Sequence, residues 1–541
     1  MTGEAIPVVA EQSVDTGVLI VGAGPVGLLL AAELAHHGVP CVLTDRSVDP
    51  TSYPKMDITN GRTMELLRRL DLHERVREAG VGAEHRFDVV FATGLHGEEI
   101  GRWPLPSVDE ARHIIRYVND GSMPREPAQR CAQSLFEKLM RDHCDGNPLI
   151  DTRWGWRCEG VTQDDDGANV TFTDGAGAAR DLRARWVVGC DGANSVVRRS
   201  MGISMEGNTG TASLAMVHFR SSDLNRLHRF GRFWHIYFTG GAVIISQDEG
   251  DTWTVHDLVS DDFTWDGVDP VTFLHRALGV PVEVDEVLIT SRWNPNLLVA
   301  DRYRSGRVFL AGDAAHQVIP TGGYGMNTGA GDAVDLGWKL AAVEQGWGGG
   351  ALLDSYHLER HHVAEQNRDR SLRHALALLA WRGSGDRMTA TIPEPGENES
   401  FGIELDYRLE GSPVVVPDGS PAPSWDAMVV TPSARPGHRA PSVFTQSGEA
   451  IQDRFGPGFT VLVLGEPSEE TSAAVVGWFK ERAPISGVPL VVVAESDPHL
   501  RTVYEADFVL IRPDGYVAWR ANTVAGSADV DRILGTVTGR A

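Results

Sequence analysis

The sequence predicts an α/β protein: a parallel-sheet nucleotide-binding fold carrying an inserted β-sheet layer, followed by a separate, smaller domain. Three observations predict it. The chain opens on an apolar run, a glycine turn, an amphipathic segment and a second apolar run. Two later runs, Trp186-Val187-Val188-Gly189-Cys190 and Val308-Phe309-Leu310-Ala311, have the character of buried strands returning to that first sheet. The residues between them are aromatic and strand-like, and 541 residues leave room for several domains.

Taken in order, Gly17 to Val21 reads as a strand, Gly22 to Gly27 as a turn, Leu28 to His37 as a helix and Val39 to Thr44 as a strand, with Gly38 where a helix cap belongs. Apolar Met64, Leu66, Leu67 and Leu70 predict a helix over 62–70. Residues 87–117 and about 213–289 read as strands rich in aromatic side chains, including Trp103, Trp234, Tyr237 and Trp253. A helix is expected near 128–143, a hairpin over 160–185, and a long helix over 327–344. Residues 383–439 are dense in Pro, Gly and Ser and read as a connector. Beyond it, strands at 459–464 and 488–493, a hairpin at 508–520 turning on Pro513-Asp514-Gly515 and a helix at 528–537 predict a β-α-β-β-β-α order.

Composition narrows the function. The hydrophobic class is 42%, charged residues are 23%, and the net charge is −25, so a nucleic-acid backbone repels the chain on average. The five cysteines, Cys41, Cys131, Cys144, Cys158 and Cys190, form no Cys-x-x-Cys pair, which fits a reducing compartment. Acidic Glu4, Glu11 and Asp15 and the lack of a basic leader predict neither signal peptide nor membrane span, hence a cytoplasmic protein. His357, His361 and His362 share a predicted helix, but no partner set completes a metal site, so no metal is expected.

The chemistry starts at Gly22-x-Gly24-x-x-Gly27, between strand and helix, with Asp45 at the end of the next strand. Glycines there let the backbone approach a pyrophosphate at the helix N-terminus, and the carboxylate accepts a ribose hydroxyl. This leaves NAD and FAD open. Two more motifs decide between them: Asp191-Gly192-Ala193-Asn194-Ser195-Val196-Val197-Arg198, and the run from Arg307 through Gly312-Asp313-Ala314-Ala315-His316 to Gly325-Met326-Asn327. Together the three resemble the flavin aromatic hydroxylases, a family that includes para-hydroxybenzoate hydroxylase and phenol hydroxylase. The long third run is most similar to the phenol and chlorophenol hydroxylase branch.

That resemblance implies a Rossmann-like FAD-binding fold (1–85, 119–199 and 292–382), an inserted β-sheet substrate domain (86–118 and 200–291), the connector, and a thioredoxin-like C-terminal domain (440–541) without Cys-x-x-Cys. It implies FAD as cofactor, NADPH or NADH as transient reductant, and O2 and a small phenolic substrate as partners. A homodimer is the candidate assembly. One oxygen atom would enter the ring, ortho to the hydroxyl, through a flavin C4a-hydroperoxide.

Carried over residue by residue, the cofactor would be held by Gly22, Gly24, Pro25, Gly27, Asp45, Arg46, Lys55, Arg130, Gln133, Asp191, Gly312, Asp313, Pro320, Gly323, Gly325, Met326 and Asn327. Asp313 would take a ribityl hydroxyl, and Asp191 would serve both FAD and the nicotinamide. Gly322, Gly323 and Gly325 free successive N–H groups before the long helix, a device that stabilises negative charge on reduced flavin. Lys55 to Glu65 resembles the phenol hydroxylase segment whose aspartate faces the substrate hydroxyl, which makes Asp57 the candidate base, with Tyr237 and His235 as candidate partners. The alternatives are a same-fold oxygenase of polycyclic or antibiotic substrates and a flavin-free binding protein. A flavin halogenase lacks its Trp-x-Trp-x-Ile-Pro signature here, and an NAD dehydrogenase leaves the second and third motifs without a task.

Overall fold

In the computed structural model, residues 14–210, 212–383, 392, 401–465 and 467–541 are described. Much of the connector, between 384 and 400, lies outside them. The opening strand Thr16–Val21 sits in the middle of a parallel sheet, between Cys41–Asp45 on one side and Ala179–Gly189 on the other. Val308–Leu310 extends the sheet beyond Ala179–Gly189, and Ile150–Trp154 extends it beyond Cys41–Asp45. Val18, Leu19 and Ile20 are fully buried, which is why the strand reads as an unbroken apolar run rather than an alternating one.

The helix Pro25–His36 follows the glycine turn with Pro25 in its first turn, where a missing N–H costs nothing. It packs against the 21-residue helix Tyr324–Glu344, which begins three residues earlier than the sequence predicts. The helix expected over 62–70 is Gly61–Arg69, capped by the Asn60 side chain on the Thr63 N–H, and a second short helix, His73–Ala79, follows. The helix expected near 128–143 is shorter at its start: Gln129–Arg130 is a strand pairing with Ile58–Thr59, and the helix runs Gln133–Asp145.

The second sheet has seven strands in the order Glu286–Trp293, Ser213–Arg220, Thr252–Val259, Val243–Ser246, His235–Phe238, Val89–Ala92, Glu99–Trp103. Its strands alternate strictly enough that one face is a closed core of Phe219, Phe233, Trp253 and Phe273 while the other faces a cavity. Residues 87–117 are not strand throughout. Val108–Val118 is a helix, started by a capping box in which Ser107 and Glu110 satisfy each other's backbone N–H.

The C-terminal sheet runs Leu490–Glu495, Phe459–Leu464, Phe508–Ile511, Val517–Ala521, its first pair parallel and the rest antiparallel. A helix missing from the sequence reading, Pro498–Tyr504, makes the order β-α-β-α-β-β-α, that of a thioredoxin fold. The domain is fixed to the nucleotide-binding body by buried charge. Arg512, with no exposed surface, donates to both carboxylate oxygens of Glu359 (2.7 and 2.8 Å), to Asp335 (3.2 Å) and to Asp514 (2.5 Å). Lys339 reaches Asp335 and Glu359 from below (2.7 and 2.6 Å). Burial lifts the Asp335 carboxyl above its ordinary range, whereas Arg512 and Lys339 outweigh burial at Glu359 and hold it ionised.

Such a cluster contributes little over an apolar contact when whole but is costly to break. Arg512→Met is therefore expected to destabilise the protein by about 3–5 kcal/mol, because it strands buried carboxylates. Chemical denaturation followed by tryptophan fluorescence measures it; a loss below about 1 kcal/mol would show that the cluster relaxes into solvent.

Candidate active site

The three glycines of the first motif do three different things. Gly22 has φ +105°, and a Cβ there would lie 2.3 Å from the Cys190 carbonyl oxygen. A Cβ on Gly27 would lie 1.9 Å from the Gly22 oxygen, so this glycine sets the approach of helix to strand. A Cβ on Gly24 would meet nothing within 4 Å. It points into a cavity of about 2060 Å³ that lies between the parallel sheet and the seven-stranded sheet. That space is about twice the upper end of an ordinary small-molecule site, enough for a dinucleotide and a substrate together.

Asp45 stands at the rim, where its carboxylate accepts the Ala23 and Ser47 N–H groups, each at 2.7 Å. Pro25, Arg46, Lys55, Gln133 and Asp191 also line the cavity. The Gln133 side chain donates to Glu137 at 2.6 Å and its N–H to the Met56 carbonyl, so it shapes the loop that carries Asp57. Asp191 accepts from the Ser195 hydroxyl (2.5 Å) and from the Val196 and Val197 N–H groups (2.6 and 3.1 Å) at the start of a short helix. In this arrangement it shapes the cavity wall, and Gly192 beside it takes φ +80°.

Asp313 opens into the cavity while protein surrounds it, and the loss of bulk solvent raises its carboxyl pKa against the lowering fields of His316 and Lys55. The Gly312-Asp313 turn is anchored from below. Asp332, fully buried, accepts from His316 Nε2 (2.7 Å), Arg360 Nε (2.9 Å) and the Gly312 N–H (3.1 Å). Arg198 ties the second motif to the third by donating to the Ala314 and Ala193 carbonyls, both at 3.0 Å.

Pro320, Gly323, Gly325 and Met326 line the opposite wall. Gly322 and Gly323 take φ +83° and +68°, and the helix they introduce has no side chain capping its first amides. Uncapped amides at the end of a 21-residue helix suit an anionic ring edge, so these residues and the glycine cradle fit FAD.

Four expected contacts fall elsewhere. Arg130 turns away from the cavity: it is almost fully buried, held by Glu249 (2.5 Å) and the Ser246 carbonyl (2.5 Å) of the seven-stranded sheet. Asn327 is a strut, accepting the Asn60 N–H (3.0 Å) and donating to the Gly323 and Ile58 carbonyls (2.6 and 3.2 Å). Gly27 and Gly312 lie behind the lining and serve packing, the latter against Val26.

The candidate base is built across the two bodies. Asp57 Oδ2 accepts the Trp234 indole N–H at 2.7 Å and lies 3.3 Å from His235 Nε2. Burial alone would raise the Asp57 pKa; His235, Trp234 and Arg130 together bring it below the ordinary value. The charge therefore stabilises the folded protein above the normal carboxylate range, and that contribution disappears as pH falls through the lowered folded value. His235 Nδ1 has no hydrogen-bond partner among the described residues, and the ring lines the cavity. Tyr237, two residues on, stacks on Phe91 with centroids 5.6 Å apart and faces the same space.

The sequence reading missed the tryptophan's role and two further wall residues, His256 and Trp293. Their signal was period-two alternation: Ser291, Met216, His256, Val243 and Tyr237 stand opposite one another across five strands.

Comparison with known proteins places this geometry. Residues 15–371 match the FAD binding domain, and residues 433–541 match the aromatic-ring hydroxylase C-terminal domain. The chain is 38% identical to the FAD-dependent monooxygenase apdD of Emericella nidulans, over 98% of this chain and 91% of that one. It is 29% identical to the 2,4-dichlorophenol 6-monooxygenase of Delftia acidovorans, over 94% and 95% of the two chains. Among solved structures, the rebeccamycin biosynthetic enzyme RebC with reduced flavin superposes with a TM-score of 0.85 at 31% identity, over 98% of this chain and 99% of that one.

The glycine geometry separates binding from folding. Gly24→Ala is expected to fold with an unchanged unfolding midpoint yet bind FAD at least about tenfold more weakly, because its methyl occupies the approach to the pyrophosphate. Gly27→Ala is expected to lower the midpoint itself, since its methyl overlaps the Gly22 carbonyl. Flavin-fluorescence titration and thermal unfolding of the flavin-free proteins measure both; equal behaviour of the two variants would contradict the assignment.

Proposed function

Since the chain belongs to the class A FAD-dependent aromatic hydroxylases, we propose that it oxygenates a phenolic ring ortho to its hydroxyl, with His235 and Asp57 taking the hydroxyl proton. The single observation that carries this reading is the Asp57–His235 pair, whose imidazole, with no hydrogen-bond partner on Nδ1 among the described residues, lines the cavity shared with the FAD cradle. When bound, FAD reduced by NADPH or NADH activates O2, so that one oxygen atom enters the ring and the other leaves as water.

The protein's own residues prepare the ring. Asp57 accepts from Nε2 and so fixes the tautomer that leaves His235 Nδ1 as an acceptor. Proton transfer from the substrate hydroxyl to Nδ1 leaves a phenolate, whose charge spreads to the ortho carbons and makes them nucleophilic toward an electrophilic oxygen. The resulting imidazolium is stabilised by the Asp57 carboxylate, which its surroundings already hold ionised. Tyr237, Val243 and Ile245 give the ring an apolar wall that keeps water from the reacting carbon. The first amides of the helix Tyr324–Glu344 lie where negative charge on the cofactor would be stabilised.

A substrate of more than one ring is favoured by the cavity, whose wall extends well beyond His235 to Leu214 and Trp293. Family membership leaves the flavin-free binding protein without support.

The test is oxidation of NADPH and of NADH by the FAD-loaded protein with single-ring and fused-ring phenols, followed by product mass. A phenol that accelerates oxidation and gains one oxygen is expected; indifference to every phenol would contradict the reading. For such a substrate, His235→Gln should lower turnover about 10²-fold at pH below the hydroxyl pKa and much less above it, where the phenolate is already formed. An equal defect across that range would contradict the base role.

A further inference from the structure

The sheet wall carries a second polar group that proton removal does not use. His256, on the strand Thr252–Val259, is half-buried and lines the cavity. Its Nδ1 lies 3.3 Å from the indole Nε1 of Trp293. An indole N–H can only donate, so Nδ1 is the acceptor and the ring proton sits on Nε2. Burial, with the field of His235 adding to it against that of Asp57, lowers the His256 pKa to about 4, which keeps the ring neutral at physiological pH. The Nε2–H has no partner among the described residues, and the ring that carries it lines the cavity.

Strand register fixes where this donor lies relative to the base. His235 stands opposite Ile245, and Ile245 opposite Thr254, two residues before His256 on the same face. Two strand spacings of about 4.8 Å and two residues of rise at about 3.3 Å put the two histidine Cα positions about 12 Å apart. The surface between them is apolar: Ile245 and Val243, on the strand that separates the two histidines. At its near end are a proton acceptor and a carboxylate, and at its far end stands the neutral His256 donor. A donor in such a place penalises any ligand that offers it no acceptor.

We propose that His256 is a specificity residue, held in its donor tautomer by Trp293, that receives a carbonyl oxygen at the far end of a flat polycyclic phenol whose hydroxyl lies at His235. The rings of that substrate cover Val243 and Ile245. A single-ring phenol reaches one group or the other, whereas a hydroxylated polycyclic ketone or quinone engages both. The near end of this assignment rests on the proposed hydroxylation; the far end stands on the Trp293–His256 geometry.

The test uses two ligands of one shape, 2-hydroxyanthraquinone and 2-hydroxyanthracene, the second lacking the carbonyls. Their dissociation constants from the FAD-loaded protein are compared in the parent, His256→Leu, His256→Gln and Trp293→Phe, with bound FAD and unfolding midpoint recorded for each. His256→Leu is expected to weaken the quinone about tenfold relative to the hydroxyanthracene, the worth of one neutral buried hydrogen bond. His256→Gln keeps an N–H donor and retains most of the preference, and Trp293→Phe loses part of it by freeing the tautomer. Equal weakening of both ligands, no weakening of either, or failure of both to bind overturns the proposal. Should His256→Leu fold poorly, the Gln and Phe variants carry the same comparison. Turnover reads the other claim: a carbonyl preference without oxygenation of either compound would contradict proton removal from such a phenol at His235 and leave the donor role standing.

Discussion

The carboxylate of Asp57 is the point on which the site depends. It belongs to the nucleotide-binding body, and both groups that hydrogen-bond to it, the Trp234 indole and the His235 imidazole, belong to the seven-stranded sheet. Without them the carboxylate, partly open to the cavity, would keep only the field of Arg130, so this pairing ties the two bodies together beside the cavity. The backbone around Asp57 is correspondingly overdetermined: its carbonyl accepts the Cys131 N–H, and the following turn is gripped by the Asn327 side chain from the long helix.

The same arrangement recurs elsewhere in the structure. Loops that must approach a ligand are glycine-rich and have little side-chain packing of their own, so each is pinned from behind by one buried ionic or hydrogen-bonding residue. Asp332 pins the Gly312-Asp313 turn, Arg198 joins the second motif to the third, and Arg130 fastens the Gln129–Arg130 strand to Glu249, in the turn between two strands of the sheet. At the C-terminal domain Arg512 does this for a whole domain. The backbone amides stay free for an anionic cofactor while the charges that fix them lie outside the cavity.

How much of this was legible in the sequence follows from how local each feature is. The glycine turn, Asp45 and the strands flanking them were readable because the turn chemistry and the apolar runs are contiguous. The sheet wall was readable as a sheet from its aromatic content. That content misled at 108–118, where Ile114, Ile115 and Tyr117 look strand-like and the true signal was the capping box Ser107-x-x-Glu110. Partners distant in sequence were not readable. Arg130 meets Glu249, 119 residues away, and nothing near either residue announces the other. Trp234 looked like core because an indole is mostly apolar surface, and only the fold shows its N–H aimed at Asp57. Asn327 stood inside a motif associated with the cofactor, yet its side chain is taken by three backbone groups.

The central claim is that Asp57 and His235 take a proton from a phenol lying in the cavity shared with the cofactor. Its most direct measurement is the ionisation of a bound phenol, followed by the phenolate band of 2-hydroxyanthraquinone in difference spectra against pH. The account predicts that the bound hydroxyl titrates below its solution pKa in the FAD-loaded protein and returns toward the solution value in Asp57→Asn. A bound hydroxyl that titrates at or above its solution pKa in the unaltered protein would contradict it.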